Sequence, residues 1–338
     1  MPDAKISLQD IARRLGVSAK TVSGALHGDG SIRMAEGTRA RIKALADELG
    51  YVPNMVARGM RQGVMPIIGI VADGLITQPF ATEILRAFDN SVRTEGLSVV
   101  VTSVGDPSTV EASVAELQRF MPRAIAYAAM YHQVVDLPKA ARGAVKLMIN
   151  CRDSEGEIAS LVPAEREAAE AIVNHLFDRG RKSIAFLNLP GLLAGTMRED
   201  GFRAAHAARG LAPNEAWIRP ATRGPLYSDR ARSLVFAHVQ EMLSGPVRPD
   251  AILCGNDRVA LEAYNTLRRI GARIPEDVAV ASFDNQVEIA ARLDPPLTTM
   301  ALPHRAIGRR AAEILAGQGR RANSIEEIPF RLVERASV

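Results

Sequence analysis

The sequence predicts an α/β protein with a small helical head and a two-lobed core of doubly wound parallel sheets. Up to about residue 63 apolar residues recur at helical spacing, whereas from Ile67 onward short apolar runs alternate with helical stretches. Continuous apolar strands joined by helices indicate parallel sheets covered on both faces. Seven such runs fit two lobes better than one. The runs are IIGIVA, LSVVVTS, AIAYAAM, VKLMINC, SIAFLNL, AILCG and VAVASF.

The head is predicted to contain three short helices. Ser7 can cap the first helix, with Asp10 at the capping-box position, and Gly16 ends it. Ser18 caps the second helix, and the third spans about residues 36 to 49. The apolar residues expected to face inward are Leu8, Ile11, Ala12, Leu15, Val22, Leu26, Ile42, Leu45, Ala46 and Leu49.

Positive charge is concentrated in the head. Residues 1–62 contain ten Lys/Arg and six Asp/Glu, so the whole formal excess of +4 lies there. This uneven distribution of charge indicates that the head binds a polyanion and that the rest of the chain has a different function. No apolar run approaches the ~18 residues of a membrane span, and the chain begins without the apolar core of a signal peptide. We therefore expect a cytoplasmic protein with no membrane partner.

Polar side chains follow four of the predicted strands, and they are Asp73, Asn150, Asn256 and Asp284. Doubly wound sheets bind ligands at the carboxyl ends of their strands. Carboxylates and amides suit the recognition of hydroxyl groups, as in a sugar or polyol. Taken singly, a polar residue after a strand is more often a cap of a turn or helix, but four of them across both lobes predict a cleft.

The sequence lacks the signatures of common catalytic sites. No G-x-G-x-x-G follows a strand, no G-x-S-x-G occurs, and the six histidines have no metal-ligand spacing. Cys254 lies near Asp257, but no histidine can be assigned to it. Cys151 and Cys254 are expected to be buried free thiols. We therefore expect no enzyme activity, no catalytic residues, no cofactor and no metal site.

Long ordered motifs across nearly the whole chain resemble the lactose/galactose-repressor (LacI/GalR) family of bacterial transcription regulators. They include ISLQDIARRLGVSAKTVSGAL, TRARIKALADELGYVPNMVARGM, RKSIAFLNLP, REDGF, AILCGNDRVALEA, IPEDVAVASFDN and PPLTTMALP. The resemblance implies a helix-turn-helix head, a hinge helix and a core like periplasmic sugar-binding proteins. The implied domains are residues 1–52 for the DNA-binding head, 53–63 for the hinge helix, 64–163 with 292–323 for the first core lobe, and 164–291 with 324–338 for the second.

The core of this family passes between its lobes three times. We expect these crossings near residues 162–165, 291–294 and 322–326, which assigns PPLTTMALP to the first lobe. At the first crossing the sequence LVPAER departs from the family's V-x-x-D-N. Two readings of this departure stay open: either the effector pocket differs from that of the family, or only the crossover between the lobes does.

The resemblance also implies which head residues contact DNA. Ala19 and Lys20 match the base-reading pair at the start of the recognition helix, where Lys20 can donate to a guanine and Ala19 can touch a thymine methyl. Met60 matches a leucine that wedges into the minor groove. Gly24 replaces an arginine that reads a guanine, and His27 replaces an asparagine. The further expected contacts, including hydroxyls that hold phosphates, are Ser18, Thr21, Ser23, Tyr51, Asn54 and Ala57.

On the effector side, Arg198 in REDGF matches an arginine that clamps the effector. A guanidinium offers five fixed donors and can bind bidentately. Asn256 and Asp284 match two further contact positions. Phe80 and Tyr227 are expected to line the cleft, Tyr227 as an aromatic that stacks on the ligand ring.

The resemblance implies a repressor that binds a near-palindromic operator as a homodimer and responds to a small-molecule effector in the cleft. An arginine with amides and carboxylates fits a sugar, a sugar acid or a purine, in that order. One alternative is a purine- or nucleoside-responsive co-repressed regulator of the same family. The other is a solute-binding protein, which should have a signal peptide and no basic head.

Overall fold

The fold was analysed in a computed structural model of the chain. The structure describes residues 6–27, 34–51, 59, 63–76, 81–224, 230–317 and 325–338. It divides into two compact units, residues 1–65 and residues 66–338. In the described part, no helix is both long enough and apolar enough to cross a membrane.

The described part of the first unit contains the three predicted helices α1 (Leu8–Leu15), α2 (Ala19–His27) and α3 (Glu36–Glu48). The capping box of α1 is confirmed, because the Ser7 hydroxyl accepts from the Asp10 amide while the Asp10 carboxylate accepts from the Ser7 amide. Gly16 ends α1 with a φ of 67°, in the left-handed region that favours glycine. The head core consists of Ile11, Ala12, Val22, Ala25, Ile42 and Ala46.

The second unit alternates strands and helices. Its strands are β1 (Met65–Asp73, which begins at the last residue of the first unit), β2 (Ser98–Val104), β3 (Pro122–Ala129), β4 (Val134–Val135), β5 (Val145–Ile149), β6 (Arg152–Asp153), β7 (Ser160–Pro163), β8 (Ile184–Asn188), β9 (Ile218–Pro220), β10 (Thr222–Arg223), β11 (Arg232–Ser233), β12 (Ala251–Cys254), β13 (Ala279–Asp284), β14 (Thr298–Ala301), β15 (Ile325–Ile328) and β16 (Arg331–Val333). Its helices are α4 (Thr82–Thr94), α5 (Val110–Arg119), α6 (Lys139–Ala144), α7 (Glu165–Asp178), α8 (Leu193–Ala208), α9 (Val235–Ser244), α10 (Asp257–Arg269), α11 (Val287–Ala290) and α12 (His304–Ala316). Short 3₁₀ turns occur at Pro107–Thr109 and Glu215–Trp217.

Two six-stranded sheets form the two lobes. The first has the order β15-β7-β5-β3-β1-β2 and the second the order β16-β14-β13-β12-β8-β9. Neighbouring strands run parallel in the described pairs, except that β16 runs antiparallel to β14. Each sheet has a buried apolar cluster on either face. The doubly wound fold and all seven predicted strands are confirmed.

The structure agrees with the first expected lobe crossing and corrects the other two. The first lies at Ala164, between β7 in the first sheet and α7, which packs on α8. β14 pairs with β13, so the second crossing lies at residues 302–303, and the expectation of 291–294 is wrong. The third lies at residues 329–330, between β15 in the first sheet and β16 in the second, rather than at 322–326. The physical reason is that the short run TTMA pairs beside β13 in the second sheet, and IEEI pairs beside β7 at the edge of the first sheet, before the chain leaves each lobe.

Candidate functional site

A cleft lies between the two lobes, at the carboxyl ends of their central strands. Its inner cavity has an empty volume of about 440 Å³, which includes space open to solvent. A wider mouth of about 1210 Å³ shares Tyr131 and Leu192 with this cavity. The described residues that line the inner cavity are Met130, Tyr131, His132, Asn150, Glu165, Leu189, Leu192, Ala194, Arg198, Asn256, Asp284, Leu302 and His304. Of the predicted effector residues, the structure brings Asn150, Arg198, Asn256 and Asp284 together here.

Arg198 lies in the cleft wall and is paired with Glu165, the first residue of α7. Its Nε donates to Glu165 Oε2 at 2.7 Å, and one terminal nitrogen donates to the carbonyl of Gly255 at 2.5 Å. The guanidinium carbon lies 4.3 Å from the centre of the Phe283 ring. Burial raises the pKa of Glu165, and the positive charge of Arg198 opposes that rise. Sequence reasoning missed Glu165, although the LVPAER departure marked its position.

Glycine at position 201 allows α8 to approach α7 closely enough to form this pair. A Cβ atom built on Gly201 would lie 2.2 Å from the Arg166 carbonyl oxygen and 2.8 Å from the Ala169 Cβ. Gly201 is three residues after Arg198, on the same face of α8. The close backbone contact therefore brings Arg198 within reach of Glu165.

His132 is a further buried cleft residue that sequence reasoning missed. Its Nε2 accepts from Arg152 Nε at 3.1 Å, so Nδ1 carries the hydrogen of the neutral ring. Nδ1 has no hydrogen-bond partner among the described residues and lies 4.0 Å from Glu165 Oε1. Burial, followed by the charges of Arg152 and Arg198, lowers the pKa of His132 to about 3. A signal was available, because His132 follows the apolar run AIAYAAM by only two residues.

The two asparagines of the cleft also hold the backbone around it. Asn150 has a φ of 59°, and its side-chain nitrogen Nδ2 donates to the carbonyls of Ala129 and Met130, each at 3.0 Å. Asn256 Oδ1 accepts from the Val259 amide at 2.9 Å and so caps α10. Each of these asparagine side chains, predicted to contact the ligand, therefore also makes hydrogen bonds that hold the backbone around the cleft in place.

The two strand-end aspartates differ in position. Asp284 lines the cavity, and burial raises its pKa, with Arg198 opposing that rise and Asp257 adding to it. Asp73 is not among the described residues that line the cavity or its mouth. Its carboxylate accepts from the Tyr127 hydroxyl at 3.0 Å and from Gln133 Nε2 at 3.1 Å. Because Gln133 lines the mouth, Asp73 lies one layer behind it and positions that amide.

At the start of α2, the Ser18 hydroxyl accepts from the Thr21 amide at 3.0 Å and lies 2.8 Å from the Thr21 hydroxyl. Lys20 is exposed, whereas Ala19 is half-buried against the head core. Gly24 is buried. This end of α2 therefore presents a lysine and two hydroxyls toward solvent, the groups that contact bases and phosphates.

The remaining predicted head residues lie on the head core or outside the described residues. Ser23 is half-buried, Tyr51 packs partly against the head core, and His27 is the last residue of α2. The predicted DNA contacts Asn54, Ala57 and Met60 and the predicted effector contacts Phe80 and Tyr227 lie outside the described residues.

Comparison with known proteins identifies relatives along the whole chain. A family model described as bacterial regulatory proteins of the lacI family matches residues 7–54, and one described as a periplasmic binding protein-like domain matches residues 173–338. The sucrose operon repressor of Escherichia coli is 35% identical, over 98% of this chain and 99% of that protein.

Solved structures agree with this match. A putative transcriptional regulator of the LacI family from Rhizobium etli has a TM-score of 0.74 and 29% identity, over 80% of this chain and 98% of that one. The lac repressor dimer bound to operator and the anti-inducer ONPF has a TM-score of 0.73 over 99% of both chains, and at 23% identity it supports the fold alone. The predicted helix-turn-helix head and binding-protein-like core are confirmed.

Proposed function

The chain belongs to the LacI family of DNA-binding transcriptional repressors, and we propose that it binds a near-palindromic operator as a homodimer under the control of a sugar held in its cleft. The observation that carries the proposal is the convergence of Asn150, Arg198, Asn256 and Asp284 on one cavity between the lobes. A ligand that contacts side chains of both lobes binds the closed arrangement more tightly than the open one. Such differential affinity is what a ligand needs in order to shift a conformational equilibrium.

The head supports the DNA-binding half of the proposal. Lys20 is exposed in the first turn of α2, where recognition helices meet base edges, and the hydroxyls of Ser18 and Thr21 are adjacent to it. The positive formal charge of residues 1–62 adds a sequence-independent attraction to phosphates. We propose that residues 53–63 form a hinge helix on the operator and that Met60 enters the minor groove there.

The cleft supports the choice of a sugar. Its amide and carboxylate groups stand among apolar side chains such as Leu189 and Leu192, the mixture expected where hydroxyls and the apolar face of a sugar ring bind together. A relative with 35% identity is the repressor of a sucrose operon. A ligand that couples to operator binding by a typical ~1–3 kcal/mol would change operator affinity by about 5- to 150-fold.

The proposal can be tested with the full chain and an operator selected from a pool of near-palindromic duplexes. Fluorescence anisotropy would measure operator affinity with and without each member of a panel of sugars, sugar acids and nucleobases. We expect Arg198→Ala to retain operator binding and to lose the response to the active sugar. The matched control is Arg166→Ala, which removes a solvent-exposed arginine paired with Glu170 on α7 and should leave the response intact. An Arg198→Ala protein that still responds at the same sugar concentration would remove Arg198 from the effector site.

A further inference from the structure

The charge balance of the inner cavity bears on which ligands it can hold. Among the described residues that line this cavity, Arg198 is the only arginine or lysine, and Glu165 and Asp284 contribute two carboxyl groups. Two histidines also line it, His132 and His304, and burial lowers the pKa of His132 to about 3, so that ring is neutral. Even with a charged His304, the described lining has as many carboxyl groups as cationic groups, so it offers an anionic ligand no excess of cationic groups.

Arg198 already has a counter-ion within the protein. The side chains of Arg198 and Glu165 are 4% and 2% exposed, and their hydrogen bond is 2.7 Å long. An anion bound to Arg198 would either displace Glu165, leaving that carboxylate buried and unpaired, or lie beside it and be repelled. Both arrangements are costly, since a buried charge without a partner is strongly unfavourable and repulsion is strong where water is excluded.

His132 and Glu165 leave a gap that one hydroxyl group can fill. The Nδ1–H of His132 is a buried donor without a partner among the described residues, and the nearest Glu165 oxygen is 4.0 Å away, too far for a direct hydrogen bond. An oxygen about 2.8 Å from both atoms would accept from Nδ1 and donate to the carboxylate. A hydroxyl can do both, whereas a carboxylate or phosphate oxygen can only accept.

Building on the proposed function, we propose that the effector is an uncharged polyhydroxyl compound, that His132 and Glu165 together read one of its hydroxyl groups, and that sugar acids and sugar phosphates are excluded. Glu165 then has two tasks. It neutralises Arg198 with one oxygen and accepts from the ligand with the other.

The first test is calorimetric titration of the full chain with matched neutral and anionic probes. The pairs are D-glucose with D-gluconate and with D-glucose 6-phosphate, D-fructose with D-fructose 6-phosphate, and sucrose with sucrose 6-phosphate. For every neutral sugar that binds, we expect its anionic counterpart to bind at least tenfold more weakly. An anion that binds equally well or better overturns this inference but leaves effector control standing. Binding by no probe of any class at millimolar concentration overturns the proposed function itself.

The second test uses Glu165→Gln, which keeps the shape of the side chain and removes its charge. We expect the neutral-to-anionic affinity ratio to fall at least tenfold, because the amide can donate to an anionic oxygen and Arg198 loses its counter-ion. Glu167→Gln, an exposed change two residues along α7, should leave the ratio unchanged. An unchanged ratio in a folded Glu165→Gln protein overturns the inference.

A third measurement needs no change at Glu165. Imidazole nitrogen NMR of the ligand-free protein at pH 7 should show His132 neutral with its proton on Nδ1, and the bound neutral sugar should shift that proton resonance. His132→Phe removes the donor and should weaken the neutral sugar at least tenfold. A proton on Nε2, or unchanged sugar affinity in His132→Phe, contradicts the assigned role.

Discussion

Glu165 Oε2 accepts a hydrogen bond from Arg198 Nε at 2.7 Å, and both side chains are almost fully buried. The pair joins the first residue of α7, next to the first lobe crossing, to the middle of α8. The pair therefore connects Arg198, the arginine of the predicted effector site, to the start of α7, which follows the first lobe crossing. Glu165 thus places a carboxyl group beside the arginine of the cleft.

This pair predicts strongly non-additive stability effects. Glu165→Leu leaves Arg198 buried without a counter-ion and should reduce the free energy of unfolding by about 3–5 kcal/mol. The double variant Glu165→Leu with Arg198→Met removes both charges and should recover most of that loss, because hydrophobic replacement of a buried pair is often neutral. Urea unfolding of the single and double variants measures this coupling. Additive losses would mean that the two side chains do not interact.

The approach of α8 to α7 predicts that Gly201→Ala is destabilising. The new Cβ would lie 2.2 Å from the Arg166 carbonyl oxygen, so the helices must separate, at an expected cost of about 1–3 kcal/mol. The matched control is Gly143→Ala on α6, where an added Cβ meets no atom within 4 Å. That control should be neutral or stabilising by up to about 1 kcal/mol. Equal unfolding midpoints for the two variants would contradict the close approach of the helices.

His132 predicts a specific pH dependence of stability. Its pKa falls from the ordinary value of about 6.5 in the unfolded chain to about 3 in the folded one. The unfolded state therefore binds the proton more readily than the folded state. The contribution of neutral His132 to the free energy of unfolding is fully present above pH ~6.5 and is lost as the pH falls toward 3. Between pH 7.5 and pH 5 the wild type should lose about 2 kcal/mol that His132→Gln does not lose. Parallel stability curves of the two proteins would show that His132 titrates normally.

The exposed position of Lys20 predicts a loss of sequence discrimination rather than of general affinity. Lys20→Ala should reduce discrimination at one base step of the operator by ~1–3 kcal/mol. The exposed Lys43→Ala on α3 should leave discrimination unchanged. Anisotropy with the selected operator and its single-step variants measures both. A uniform loss of affinity across all sequences would assign Lys20 to phosphate contact instead.

The strands that sequence reasoning predicted are those with long continuous apolar runs, such as IIGIVA at residues 67–72. Most of these strands are buried on both faces, so a continuous apolar run identifies them in the sequence. The exception is β2, an edge strand whose side chains are largely exposed or half-buried. β14 was assigned to the wrong lobe because TTMA is short, and its place depends on pairing with β13. Short strands of this kind are defined by their neighbours in the sheet, and sequence periodicity contains little information about them.

The cleft residues also divide into those that the sequence predicts and those that only the fold reveals. Asn150, Asn256 and Asp284 were found because each directly follows a buried strand of a doubly wound sheet, where ligands bind. Glu165 and His132 come from a helix start and a loop, and they become neighbours only when the two lobes pack. The sequence marked Glu165 as a departure at the crossing, but only the fold shows that its partner is Arg198.

In the proposed mechanism, a neutral sugar in the cleft and the operator on the head control each other's binding. Linkage requires the effect to be reciprocal, so the factor by which the sugar changes operator affinity must equal the factor by which operator DNA changes sugar affinity. Calorimetric titration of the active sugar into the full chain, with and without saturating operator, measures the second factor. We predict a change in the sugar's Kd of about 5- to 150-fold, equal to the change in operator Kd from anisotropy. The same sugar Kd with and without operator would show that the cleft and the head are not coupled.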